Sequence, residues 1–202
     1  MKKLPVSFYQ RNNVLQIAKE LLGKLLVTNF DGILTAGRIV ELEAYNGIPD
    51  RASHAYGGRR TARNEIMYAA GGVSYIYLCY GIHHLFNVVT HGKGTPHAIL
   101  IRALEPVKGI EEMLWRTGKK KPDHTLTRGP GNLSKAMGLF TSHSGSSLRG
   151  REIFIADDGF VVDPETIASS PRIGVDYAGE DAFLPYRLYI KGNPFVSGKP
   201  NK

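Results

Sequence analysis

The sequence predicts a mixed α/β (α+β) domain built on a largely antiparallel sheet. Runs of β-branched and aromatic residues are joined by short turn signals, so neighbouring strands must reverse direction. A few stretches carry apolar residues at helical spacing and stand apart from those runs. No internal repeat divides the chain, nor does any Pro-, Gly- or Ser-rich linker, so residues 1–202 read as one domain.

In chain order, Asn12 and Asn13 stand where a helix cap belongs, and Val14, Ile17, Ala18, Leu21 and Leu22 follow at helical spacing in NVLQIAKELL. Gly23 is placed to end that helix. KLLVTNF and ILTAGRIVELEAY flank Asp31-Gly32, a pair suited to a tight hairpin turn. NGIPDRASHAYGGRRTARNE reads as a long loop, and loops of that length in compact domains are usually functional or disordered. VSYIYLCY is a strand that Gly81 turns into LFNVVT. HAILIRALEP is a further strand, and GIEEMLWRTGK a helix that ends in a basic loop. GPGNLSKAMGL opens a short helix from a Gly/Pro turn, and REIFIADD and YRLYIKG are the last strands.

The 202 residues weigh 22.2 kDa, with 42% hydrophobic and 22% charged residues. That composition excludes a coiled coil, a collagen and a disordered tail. No apolar run reaches the ~18 residues of a membrane-spanning helix. The basic start MKKLPVSFYQRNN lacks the apolar core of a signal peptide. Cys79 is the only cysteine, which excludes an intrachain disulfide, a thiolate-rich zinc site and an iron–sulfur cluster. A cytoplasmic location is expected. Lys and Arg total 26 against 18 Asp and Glu, giving a net charge of +8 and a pI of about 9.6. Such a balance fits a nucleic-acid partner, and equally a protein that is merely basic. The distribution says more. Arg102–Arg151 holds ten basic and four acidic residues, whereas Glu152–Asp181 holds eight acids and the single cation Arg172. A chain divided this way can present one cationic face.

RIVELEAY is the segment richest in chemistry. Strict strand alternation puts Ile39, Glu41, Glu43 and Tyr45 on one face and Val40, Leu42 and Ala44 on the other. Two carboxylates and a tyrosine on a strand usually make a solvated side. Here the strand leads directly into a loop bearing His54, Arg51, Arg59, Arg60 and Arg63, and together these groups can form a site. Tyr75 and Tyr77 share a strand face and Tyr80 takes the other; such residues usually pack, but among basic loops they can stack on bases. His83 and His84 stand near Cys79, yet adjacent strand residues point apart and no further ligand has suitable spacing, so no metal is expected. Phosphate-loop, dinucleotide and nucleophile-elbow motifs are absent.

Six blocks in order complete the pattern: VELEAYNG, SHAYGGRRTARN, YIYLCYGIHHLFNVV, ILIRALEP, RGPGNLSKAMG and RIGVDYAGE. Together they resemble the alkyladenine (3-methyladenine) DNA glycosylase family over most of the chain from about residue 36. The resemblance implies a compact α/β domain with a curved antiparallel sheet and a protruding β-hairpin. It implies a monomer, without metal or cofactor, that removes alkylated and deaminated purines from duplex DNA. By the same resemblance Glu43 is the general base that activates water, and Arg102 helps to hold that water. Tyr45 and Tyr77 are the aromatic walls around the flipped base, and His54 contacts the base edge and the sugar-phosphate. Asn87 lies on the pocket floor, Tyr80 intercalates in the duplex, and the Val175 carbonyl positions the water. Ile82-His83-His84 at the hairpin tip and the loop HGKGTPH are where the chain departs from the family pattern.

These residue types suit such chemistry. A stacked base must leave the duplex before it can be excised. An inserted Tyr80 offsets part of the unstacking cost, and flat aromatic walls suit a flat and often cationic base. A carboxylate stabilises the oxocarbenium-like sugar and takes the proton of water. Glu41 is expected to support the site and not to act as the acid. Arg59, Arg60, Arg63, Lys119, Lys120, Lys121, Arg128, Lys135 and the helix start at GPGNLSK are candidates for phosphate contact. The competing readings are a non-enzymatic nucleic-acid-binding domain on the same scaffold and an enzyme acting on RNA or a small molecule.

Overall fold

The structure, a computed structural model, describes residues 1–198; residues 199–202 of the expected domain lie outside the described residues. The strands are β1 (Lys2–Lys3), β2 (Leu25–Phe30), β3 (Ile33–Tyr45), β4 (Ser74–Cys79), β5 (His83–Thr90), β6 (His97–Lys108), β7 (Ile153–Asp157), β8 (Ile167–Ser170) and β9 (Arg187–Ile190). They form one open antiparallel sheet in the order β1-β7-β2-β3-β6-β5-β4, with β9 paired to both β3 and β8. The helices are α1 (Val6–Tyr9), α2 (Val14–Leu21), α3 (Ile110–Thr117) and α4 (Pro130–Met137). The mixed α/β class and the antiparallel sheet are as the sequence predicts.

Local chemistry accounts for the elements that were foreseen. Asn13 caps α2, its side chain accepting the Gln16 N–H at 3.0 Å. Val14, Ile17, Ala18 and Leu21 bury the inner face of that helix. Gly23 ends it with φ +83°, and a Cβ there would stand 2.5 Å from Val162, so both backbone and space require glycine. Asp31 and Gly32 both take positive φ, the signature of a two-residue hairpin turn twisted to match its strands. The β1 and α1 elements and β8 were not foreseen. Two residues, four residues and an IASS strand are too short to give a periodic signal.

The long strand β3 organises the sheet. Its first half pairs with β2, its second half with β9, and β6 runs along its other edge. Residues 39–44 are therefore enclosed by strands on both sides, and all six are buried. Strict alternation does not survive there. Val40 is an extra residue on β3 between the pairs Ile39–Leu104 and Glu41–Ala103, and Arg102 is extra on β6 before Leu42–Ile101. These bulges move Ile39 into the main core with Leu42 and Ala44, away from the face it was expected to share with Glu41 and Glu43. Helices α2, α3 and α4 cover the core side of the sheet.

Candidate active site

Beyond the end of β3 lies a cavity of about 520 Å3. Its walls come from β3, β4, β5, β6, the 46–73 loop, the start of α4 and the 173–177 segment. Every site residue singled out in the sequence lines it: Glu43, Tyr45, His54, Tyr77, Tyr80, Asn87, Arg102 and Val175. Residues up to 132 positions apart in sequence are brought together this way by the sheet order and the segments that cover its end.

Glu43 is fully buried and held from three directions. The Tyr45 hydroxyl donates to Oε2 at 2.9 Å and the Ile173 N–H to Oε1 at 2.7 Å. Arg102 Nη1 stands 3.3 Å from Oε1. Oε2 keeps lone-pair capacity for one more donor, such as a water. Burial, then the Glu43 charge, push the Tyr45 hydroxyl well above its ordinary range, so it stays a donor.

Glu41 lies on the far side of Arg102. It accepts from Arg102 Nε at 3.0 Å, Arg187 Nε at 2.7 Å, and the N–H and hydroxyl of Ser197 at 2.6 and 2.9 Å. Oε1 takes three of these bonds and Oε2 the fourth, all from protein groups, and the work of this carboxylate is to hold Arg102 in place. The guanidinium of Arg102 thus bridges two buried carboxylates. Ser197 and Arg187 are distant in sequence and carried no signal of this role.

His54 Nδ1 lies 2.8 Å from the Tyr75 hydroxyl, and its ring packs edge-on to Tyr77 with centroids 4.6 Å apart. Burial, then Arg63 and Arg59, push its pKa down to about 4, so the imidazole is neutral at physiological pH. Burial raises Tyr75 to about 12. Asn87 is buried, and its amide nitrogen donates to the carbonyls of Tyr75 and Leu85 at 3.1 and 3.0 Å. The carbonyl of Val175 accepts the Ala178 N–H at 2.9 Å, which leaves it one lone pair.

Tyr80 tops the β4–β5 hairpin, 90% exposed and at φ +50°. A bulky residue seldom holds that conformation. His83 and His84 do point apart. His83 lines the cavity against Gly131, where a Cβ would stand 2.7 Å from the imidazole. His84 accepts the Thr141 N–H at 3.2 Å. Among the described residues no group of three or more His, Cys, Asp or Glu converges on a point.

Of the candidate phosphate contacts, Arg63 and Arg128 line the cavity mouth with Gly129, Pro130, Gly131 and Asn132 at the start of α4. Arg60 and Lys119 are engaged in exposed ion pairs with Glu65 and Asp123. Residues not singled out from the sequence include Tyr177, whose hydroxyl donates to the Ala52 carbonyl at 3.1 Å at the rim. Asn64 pins the loop by donating to the carbonyls of His54 and Arg59 at 2.8 and 2.9 Å. Arg172 had one sequence signal, as the lone cation of an acidic stretch.

The family model of methylpurine-DNA glycosylase (MPG) matches residues 7–194. The chain belongs to the methylpurine-DNA glycosylase family. It is 48% identical over 203 residues to a Bacillus cereus (strain G9842) protein named "Putative 3-methyladenine DNA glycosylase", covering 96% of this chain and 98% of that one. A Chlamydia felis (strain Fe/C-56) protein of the same name is 48% identical over 188 residues, 93% of this chain and 95% of the relative. A third of that name, from Bacillus thuringiensis (strain Al Hakam), is 46% identical over 203 residues. As a methylpurine-DNA glycosylase the chain is a DNA-repair enzyme that acts on N-glycosyl bonds, and damaged DNA is its substrate. Membership matches the resemblance carried by the six blocks.

Proposed function

We propose that this glycosylase flips alkylated or deaminated purines out of duplex DNA and hydrolyses the N-glycosidic bond with water activated by Glu43, leaving an abasic site. The observation that carries the reading is a fully buried carboxylate at an aromatic-walled cavity. Glu43 is held by Tyr45, Ile173 and Arg102, with capacity for a water on Oε2. A domain that only bound a polyanion would gain nothing from an anion kept there, which disfavours the non-enzymatic alternative.

Each group then has a task. Tyr80 fills the gap in the stack, and Tyr45 and Tyr77 hold the base between them. Neutral His54 meets the base edge and the sugar-phosphate, and Asn87 on the floor offers its amide oxygen to the base. Arg63, Arg128 and the first turn of α4 meet phosphates. As the sugar becomes cationic, Glu43 stabilises it and accepts the proton of the attacking water, with Arg102 and the Val175 carbonyl orienting that water. An amine nucleophile would need an activated lysine or N-terminal amine, and Met1 is not among the residues that line the cavity. Among the described residues none of the cavity-lining side chains is a lysine, and Lys93 sits in an exposed Gly-flanked loop. The protein is expected to act as a monomer.

Single-turnover excision from duplex oligonucleotides carrying a panel of damaged purines tests this reading. Release of 3-methyladenine and hypoxanthine with the strand left intact supports it. Borohydride added during turnover is expected to trap no protein–DNA adduct; a trapped lysine adduct would overturn the direct-water mechanism.

A further inference from the structure

Arg172 is a buried cation to which the mechanism above gives no task. Its guanidinium is 3% exposed as a residue and does not line the cavity. It forks onto Asp50, with Nη1 to Oδ2 at 2.6 Å and Nη2 to Oδ1 at 2.8 Å. It also donates to the carbonyls of Ala44 at 3.0 Å and Asp181 at 3.1 Å. Its charge lies over two rings, 4.8 Å from the centroid of Tyr45 and 5.2 Å from that of Tyr186. Tyr45 lines the cavity and Arg172 does not, so the guanidinium meets the ring from outside the cavity.

We propose that Arg172 is a specificity-determining residue: by holding a permanent positive charge behind Tyr45, it weakens that wall's attraction for a cationic base relative to a neutral one. The proposal rests on the reading of Tyr45 as a wall of the base pocket. The physical reason is that a ring attracts a cation through the negative lobes on both its faces. A cation on one face draws that density toward itself and repels a second cation across the ring. A neutral purine stacks by contact and dispersion and feels the charge far less. The pocket then takes neutral and charged purines on more equal terms than two bare tyrosines would. Asp50 pairs with Arg172 and keeps it buried, while the guanidinium itself is the group that lies over the Tyr45 ring.

The test is a ratio, because structural damage lowers excision of every substrate alike. Single-turnover excision of cationic 7-methylguanine and neutral hypoxanthine is measured in the same duplex context. In Arg172→Gln/Asp50→Asn, which removes both charges together, the ratio of the two rates is expected to rise by roughly threefold to tenfold. In Arg172→Lys, which keeps the charge and loses the fork, the ratio stays near that of the wild type. An unchanged or reduced ratio in a folded double variant overturns the proposal. Should the double variant fail to fold, the wild-type protein decides. Competition by 9-methyladenine and by the 3,9-dimethyladenine cation is expected to be of similar strength. A preference for the cation on the order of tenfold overturns the proposal. A wild-type protein that excises neither lesion refutes the glycosylase mechanism itself, an outcome distinct from either result on the ratio.

Discussion

At the scale of single residues, Glu43 and Glu41 differ by two positions and by entire function. Glu43 lines the cavity with capacity left for a water, whereas Glu41 stands outside that lining and takes four hydrogen bonds from Arg102, Arg187 and Ser197. Glu43→Gln keeps the shape and cannot take a proton from water. Excision is expected to fall by roughly a hundredfold or more, while lesion binding holds or strengthens because a negative charge near DNA is gone. Single-turnover rates with a binding isotherm check this, and near-normal excision would remove Glu43 from the role of base. Glu41→Gln instead leaves two buried arginines short of one carboxylate. It is expected to cost about 3–5 kcal/mol of stability, read as a lower denaturant midpoint. Excision falls with it as Arg102 loses its anchor.

At the scale of elements, the β4–β5 hairpin trades stability for reach. Tyr80 is 90% exposed, so its side chain adds almost nothing to folding, and it sits at φ +50°. Holding a non-glycine residue there costs about 1–2 kcal/mol, set against an entropic penalty of roughly 0.5–1 kcal/mol for glycine. Tyr80→Gly is therefore expected to leave the melting temperature unchanged or raise it slightly, while excision from duplex DNA falls severalfold. Excision from a single strand, where no gap needs filling, is expected to fall less. A variant that lost both stability and activity would mean that the tip packs in the fold and does not act on the duplex. Helix α4 supports the same hairpin, since Gly131 admits His83 where any Cβ would collide.

At the scale of the whole molecule, two histidines make the fold sensitive to acid. Burial pushes both His54 and His97 down to about 4, with Arg63 and Arg59 adding to the effect on the first and His91 on the second. The unfolded chain takes up these protons near pH 6.5, so between about 6.5 and 4 it binds more protons than the folded state. Stability contributed by the neutral imidazoles is full above 6.5 and drains as pH falls toward 4. Discounted for solvent screening, the loss is expected to be on the order of 2 kcal/mol for His54 and less for His97. Urea midpoints measured from pH 7 to pH 4 check this, and His97→Gln should flatten the curve without moving the lesion spectrum. A curve equally steep in the variant would place the acid sensitivity elsewhere.

The local content of the sequence determined the elements and much of the site. The Asn13 cap, the Asp31-Gly32 turn and the strand runs at Ile33–Tyr45 and His97–Pro106 announce themselves because their causes lie within a few residues. The ordered blocks around Glu43, His54, Tyr77, Asn87 and Arg102 carry the family resemblance, and the structure gathers all of them at one cavity. Tertiary structure alone decided which face each residue takes on β3, because the bulges at Val40 and Arg102 arise from pairing with β6 and break the two-residue alternation. It alone decided that Ser197 and Arg187 seize Glu41, and that Arg172 lies over the Tyr45 ring. Those contacts span 127 to 156 positions of chain, and no local pattern encodes a distance that only the folded sheet and its covering segments create.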